Sequence, residues 1–320
     1  VTQNLTGARL GQYELQEIIG QGPIATIYRA YQPRTGRTVA VKVFPGELLR
    51  EEEFWVQFKR EASVIARLKH PHILPIYDID RKGDFPHIVF RHLPTDSLAD
   101  WLRTAPLPLA QAVHITEQVA SALDHAHQHG VVHQAIRPSN ILIDANEHAY
   151  LFDFEIPCIR DATVRLTGAA PAGSPAYMAP ELGAGAPATP AADIYALGVV
   201  LFEMLAGRLP FEADTPIDMM IEHRVTPAPP IRSINPAISV KTSGVVARSL
   251  AKIPEDRFET AGSLATTLRQ SMKRREARPS VPPRPHRRHE KRSWVLLVIG
   301  LIIVAAALAI GAVIGTMFLR

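Results

Sequence analysis

The sequence predicts a bilobal α+β protein, a β-rich N-terminal lobe followed by a larger helical lobe with a cleft between them, joined to one C-terminal transmembrane helix. Three observations carry this. The first ninety residues hold short alternating apolar runs punctuated by Gly and Pro, the mark of a mostly antiparallel sheet. After Ser97 the apolar spacing becomes helical. At the end, residues 294–319 are almost wholly apolar and carry no charge.

In chain order, the runs 13–18, 27–31, 38–44, 73–78 and 87–90 read as strands. One helix, 52–68, interrupts them, with Phe54, Phe58, Ile65 and Leu68 on a helical period. The stretches 109–129, 193–205, 217–224, 240–250 and 263–272 read as helices of the second lobe. The expected organisation is a leader (1–9), a main domain (10–272), a basic Pro-rich juxtamembrane linker (273–293) and the span (294–319). With 320 residues, 47% apolar and 21% charged, the chain is too long for a small module and too apolar for a disordered tail. The single cysteine, Cys158, excludes an intramolecular disulfide and fits a reducing compartment.

The net charge of +4 conceals a segregation. Residues 273–292 hold nine Lys/Arg against Glu276 and Glu290, a net of +7, and Arg320 adds one more, so residues 1–272 carry −4. The basic character belongs to one short stretch beside the apolar run, which argues against nucleic acid as a partner.

The 26 residues of the apolar run reach about 39 Å as a helix, enough for a ~30 Å hydrocarbon core with tilt. Trp294 takes the place of an interfacial aromatic. The basic stretch on its N-terminal side places that side, and the main domain, in the cytoplasm of a single-pass cell-membrane protein. The first 30 residues show no signal segment and only Arg320 follows the run, so a tail-anchored protein is expected. Pro279, Pro282, Pro283 and Pro285 make the linker extended, and its basic residues attract anionic membrane lipid at ~1 kcal/mol each. Gly311 and Gly315, with Ala307 one turn earlier, offer a seam for a homodimer, set against the ordinary abundance of glycine in membrane helices.

Chemistry-bearing motifs lie in the main domain. Gly20-Gln21-Gly22 joins two predicted strands, where missing Cβ atoms let backbone N–H groups approach phosphates; alone, such a pair is usually a turn. Lys42 stands in the apolar strand Val39-Ala40-Val41 and needs an anionic partner, for which Glu61 on the following helix is the candidate. Then come His133-Gln134-Ala135-Ile136-Arg137-Pro138-Ser139-Asn140-Ile141-Leu142, Leu151-Phe152-Asp153-Phe154-Glu155, Met178-Ala179-Pro180-Glu181, Asp193-Ile194-Tyr195-Ala196-Leu197-Gly198 and Pro254-Glu255-Asp256-Arg257-Phe258.

In this order the motifs resemble the eukaryotic-type Ser/Thr protein kinases of the bacterial membrane-anchored kind, over about residues 10–272. The resemblance implies a protein-kinase-like fold with ATP and Mg²⁺ as cofactors. It implies that Gly20 and Gly22 cover the phosphates, that Lys42 contacts them and pairs with Glu61, and that Asn140 and Asp153 hold Mg²⁺. Ala40 and Leu142 match the positions that sandwich adenine, Phe90 the gatekeeper and residues 91–93 the hinge. It also implies a Glu181–Arg257 ion pair and Asp193 bracing the catalytic loop.

Five departures matter. The catalytic Asp, which accepts the substrate hydroxyl's proton, is Ala135, so no catalytic residue set is intact. The preceding Arg is Gln134, the loop Lys is Arg137, the third phosphate-loop glycine is Ala25, and the glycine after Asp153-Phe154 is Glu155. The leading expectation is a pseudokinase that binds MgATP and serves an unidentified protein partner. The alternatives are a slow Ser/Thr kinase or ATPase, since a general base contributes only about 10²–10⁴-fold, and a scaffold with a vestigial cleft.

Other residues have plainer readings. With i, i+2 spacing, His125, His127, His129 and His133 do not share one helical face, so metal ligation is the weaker reading. Thr163, Thr167 and Ser174 read as exposed loop hydroxyls, and Cys158 as inert.

Overall fold

Period-two burial builds the first lobe. Strand β3 (Thr26–Gln32) alternates buried Thr26, Tyr28, Ala30 and Gln32 with half-buried neighbours. In this computed structural model, which describes residues 4–167 and 175–272, β3 belongs to a six-stranded antiparallel sheet. Its other strands are β1 (Arg9–Leu10), β2 (Tyr13–Gln21), β4 (Arg37–Val43), β5 (Ile76–Lys82) and β6 (Phe85–Arg91), in the order β1-β2-β3-β4-β6-β5. β4 is buried on both faces. Val39, Val41 and Val43 join Tyr13, Leu15, Tyr28 and Val89 in a small core, whereas Ala40 belongs to the main one. Lys42, two residues beyond Ala40, shares the Ala40 face. Helix α1 (Glu52–Ala66) packs there through Trp55, Phe58, Ala62 and Ile65, with Phe58 edge-on to Phe44 at 5.4 Å.

The second lobe starts with β7 (Asp96–Ser97) and α2 (Leu98–Leu102), whose first turn is closed by a Ser97/Asp100 capping box. Helix α3 (Leu109–Gln128) follows, then β8 (Ile141–Ile143) and β9 (Ala149–Leu151), which form a three-stranded sheet with β7. Helices α4 (Pro157–Thr167), α5 (Pro180–Gly183), α6 (Pro190–Ala206), α7 (Pro216–Val225), α8 (Val240–Ser249) and α9 (Ala261–Met272) complete it. α6 is buried almost all round from Ala192 to Leu205 and forms the lobe's centre. It approaches α8 closely at Gly198, where an added Cβ would collide with Ser249. It stops at Gly207, whose φ of 71° supplies a left-handed cap.

The bilobal expectation holds, and the sequence-derived helices fall within a few residues of α1, α3, α6, α7, α8 and α9. Two differences stand out. Strand β5 starts at Ile76, because Ile73 instead bridges Leu151 of β9 across the lobes. Residues 157–167, expected as loop, are helix α4. Among the described residues no helix is long and apolar enough to cross a membrane. The run 294–319 with Ala307, Gly311 and Gly315, the linker 273–293 and the first three residues of the leader lie outside the described residues.

Candidate active site

Between the lobes lies a cavity of ≈ 420 Å³. Gly20 and Gly22 reach it from the β2–β3 turn, which Gly22 closes by donating its N–H to the Ala25 carbonyl at 2.9 Å. Lys42 reaches it from β4, and Ala135, Arg137 and Asn140 from the loop after α3. Leu142 of β8 and Asp153, just past β9, complete the predicted set that meets there. Ala40 and Glu61 are not among its lining residues: Ala40 is 9% exposed between Arg29 and Phe90 of the flanking strands. Phe90 lines a separate pocket of ≈ 20 Å³ behind Lys42 and Asp153.

Asp193, in the first turn of α6, fixes the catalytic-loop backbone as the resemblance implies. Its carboxylate accepts from His127 Nε2, from the His133 amide and from the Gln134 amide, each at 2.8 Å. Gln134 is held at φ 62°, a left-handed backbone that costs a non-glycine residue roughly 1–2 kcal/mol. Asn140 Nδ2 donates to the Ala135 carbonyl at 2.8 Å. Fully buried His133 accepts the Ala135 N–H on Nδ1 (3.2 Å), which leaves Nε2–H to donate to the Phe152 carbonyl at 3.1 Å. Burial pushes the His133 pKa down and keeps the ring neutral, although the nearby Asp193 and Asp153 charges oppose this. Ala135 thus lines the cavity on a well-braced backbone, and its side chain has no group to take a proton.

The ion pair expected between Lys42 and Glu61 is not formed. Lys42 pairs with Asp153 instead, and Glu61 accepts from the Cys158 amide and from Gln57 Nε2, both at 2.9 Å. The reason is α4. Its first-turn amides lack intrahelical acceptors, and Pro157 and Cys158 open the helix directly beside α1. A carboxylate there satisfies an orphan N–H and lies favourably on the helix dipole. Residue 134 has a related part: Gln134 Oε1 accepts from Arg160 Nη1 of α4 at 3.0 Å, so the position where the family's Arg reads a phosphate here grips a cation. Glu155 lines the same cavity, and its amide donates to the His133 carbonyl at 3.0 Å. Burial raises its pKa, as does the charge of Asp153; Lys42, Arg160 and Arg137 pull the other way.

Thr163 is a correction. It is 5% exposed inside α4, its hydroxyl donating to the Ile159 carbonyl at 2.7 Å, so it is no exposed loop hydroxyl. Ser174 lies outside the described residues. Cys158 is buried, and burial together with the Glu61 carboxylate drives its thiol pKa far up. Arg257 and Glu181 form the implied ion pair, bidentate at 2.7 Å on both arms.

The oxygen donors of Asp153 and Asn140 fit a magnesium ion. Asp153 keeps one carboxylate oxygen off Lys42, and Asn140 turns its Nδ2 to Ala135, leaving the amide oxygen toward weaker contacts with Arg137 (3.4 Å) and Ser139 (3.5 Å). One carboxylate plus one amide is the kind of protein contribution Mg²⁺ takes when phosphates and water complete its octahedron.

A twisted antiparallel lobe over a helical one, with a strand lysine, an asparagine and an aspartate around the cleft between, is the protein-kinase fold. The protein kinase domain family model matches residues 13–268, and the chain belongs to that family. It is 34% identical over 267 residues to the serine/threonine-protein kinase PrkC of Bacillus subtilis (83% of this chain, 41% of that protein). It is 36% identical to PknB of Mycobacterium leprae (80% and 42%) and 38% identical to PknH of Mycobacterium tuberculosis (83% and 43%). The chain spans about two fifths of the length of these relatives. The crystal structure of the Mycobacterium tuberculosis PknI kinase domain resembles it with a TM-score of 0.68 at 27% identity, covering 84% of this chain and all of that one.

Proposed function

We propose that this chain is a membrane-tethered, protein-kinase-like signalling protein that binds MgATP between its lobes and acts as a pseudokinase, a nucleotide-responsive scaffold for a protein partner. One observation carries the reading: Ala135 lines the cavity in which Lys42, Arg137, Asn140 and Asp153 also meet. The phosphate-handling groups are present and the proton acceptor is not. Lys42 supplies the positive charge for the α/β-phosphates and Arg137 for the terminal one, while Leu142 offers apolar surface to the base. Asn140 and Asp153 hold the magnesium, whose charge neutralises phosphate oxygens when bound. The tether rests on the apolar run 294–319, with the kinase-like domain on the cytoplasmic side and the basic linker against anionic lipid.

A second reading, a slow Ser/Thr kinase, draws on the Glu155 carboxylate in the same cavity. Positioning and charge stabilisation dominate phosphoryl transfer, so a missing base slows it without abolishing it. The test is thermal unfolding of the full chain in detergent with and without MgATP. Nucleotide at about 100 times its Kd stabilises by roughly 2.7 kcal/mol, a rise of about 5–11 °C for a domain of ~250 residues. The rise is expected to disappear in Lys42→Ala. No rise in the wild-type chain removes both nucleotide readings and leaves a scaffold. Loss of γ-phosphate that stops in Asp153→Ala favours the slow kinase.

A further inference from the structure

Away from the cleft, five histidines form a chain across the surface. Ring centroids are 6.5 Å apart for His148–His72, 5.6 Å for His72–His70, 5.2 Å for His70–His125 and 4.5 Å for His125–His129. His148 comes from the β8–β9 turn, His70 and His72 from the segment between α1 and β5, and His125 and His129 from the end of α3. Spacing of four residues puts His125 and His129 on one helical face, which the i, i+2 reading of the sequence passes over.

We propose that His125 and His129, with His70 as a third donor, form a binding site for a borderline transition-metal ion of the zinc class, separate from the oxygen-donor site in the cleft. The spacing fits. Zinc–nitrogen bonds of about 2.0–2.1 Å at tetrahedral angles place two ligating imidazole rings with their centres roughly 5 Å apart, and the two closest pairs lie at 4.5 and 5.2 Å. The tautomer fits as well. His129 Nδ1–H donates to the His125 carbonyl at 2.8 Å, which leaves the Nε2 lone pair free and orients the ring as outer-shell partners of metal ligands do. The His125 ring makes no hydrogen bond among the described residues. Neighbouring carboxylates are engaged elsewhere, Glu117 with Arg269 and Asp124 with the Ala261 and Gly262 amides. An all-imidazole donor set selects zinc, copper or nickel over magnesium or calcium.

His70 is the adjustable member. Its Nδ1 accepts the His72 amide at 3.1 Å and its Nε2 faces Ser121 Oγ at 3.0 Å, so it must turn from these to ligate. Accordingly no three metal-ligating side chains already converge among the described residues. An ion here ties the segment between α1 and β5 to the last turn of α3, four residues before His133 of the catalytic loop.

The experiment is zinc titration of the tag-free, metal-stripped full chain in detergent, against a chromophoric chelator and with magnesium in excess. One equivalent of zinc is expected, with affinity falling about tenfold or more in His125→Ala and in His129→Ala, less in His70→Ala and not at all in His148→Ala. His129 is exposed, so its replacement leaves the fold intact, and unfolding temperatures without zinc check each variant. No uptake at about 1 mM zinc, or equal affinity in the wild type, His125→Ala and His129→Ala, overturns the site. Unchanged affinity in His70→Ala overturns its three-donor form.

Discussion

Replacing Arg257 by alanine tests what holds the second lobe around α6. Arg257 is 2% exposed, and its guanidinium makes five hydrogen bonds: two to Glu181, and one each to the carbonyls of Ala191, Ala251 and Lys252, at 2.7 to 3.1 Å. It also lies 4.8 Å from the Tyr195 ring centre. Arg257→Ala leaves a mostly buried carboxylate without its counter-charge and takes a donor away from three carbonyls, of which Ala191 keeps its place in the helical ladder. Removing one partner of such a pair costs about 3–5 kcal/mol. At about 2–4 °C per kcal/mol for a domain of this size, the melting temperature falls by roughly 6–20 °C. Arg257→Lys recovers little, because one ammonium cannot span both carboxylate oxygens and three carbonyls. Calorimetry in low salt and in about 0.5 M salt reads both variants, and the fall persists in salt because the pair is shielded from solvent ions. A fall below about 2 °C, or one that vanishes with salt, refutes this account.

Ala135→Asp restores the proton acceptor on a loop already braced by Asp193. Transfer of γ-phosphate to protein hydroxyls should rise by up to about 10²–10⁴-fold in a radiolabel assay; no rise with MgATP binding intact means the other departures also block chemistry. Burial holds the His223 pKa down at about 4, below its ordinary ~6.5, so the unfolded chain takes a proton that the folded one refuses. Stability is therefore full above about pH 6.5 and declines by up to about 3 kcal/mol as pH falls toward 4. His223→Gln should flatten the melting-temperature profile between pH 7 and pH 4.5 (bounds set by about the two pKa values), and a parallel profile contradicts the assignment. Cys158, 1% exposed and with its thiol pKa raised, should resist iodoacetamide until urea unfolds the chain; mass spectrometry of the native protein reads this.

Much of the fold is legible in the sequence. Helix α1 is marked by Phe54, Phe58 and Ile65 on a helical period, and α6 by the helical apolar spacing of residues 193–205. The site residues follow from ordered motifs, because a backbone turn, a strand lysine and a metal-binding pair each need particular side chains at particular places. Helix α4 was less visible: residues 157–167 sit between two motifs whose intervening segment reads as loop. Pro157 at the first helical position and the apolar positions Cys158, Ile159 and Ala162 were the available signal. The partner of Glu61 was not legible at all. It is chosen by an amide 97 residues away, and no local pattern ranks that amide against Lys42.

Glu61 is therefore a single resource with two claimants. Both its oxygens are engaged, one by Gln57 and one by the first turn of α4, and each keeps a second lone pair, so a Lys42 ammonium drawn onto Glu61 would share the carboxylate and weaken the bonds already there. To that extent the first-turn contact of α4 and a Lys42–Glu61 pair oppose each other. By reciprocity, whatever factor a Lys42–Glu61 pair would add to the affinity of a ligand in the cleft is the factor by which that ligand would loosen the α4 amide from Glu61. A protein that bound residues 157–167 would then alter the affinity of the cleft for its ligand, and that ligand would alter the affinity for the protein by the same factor.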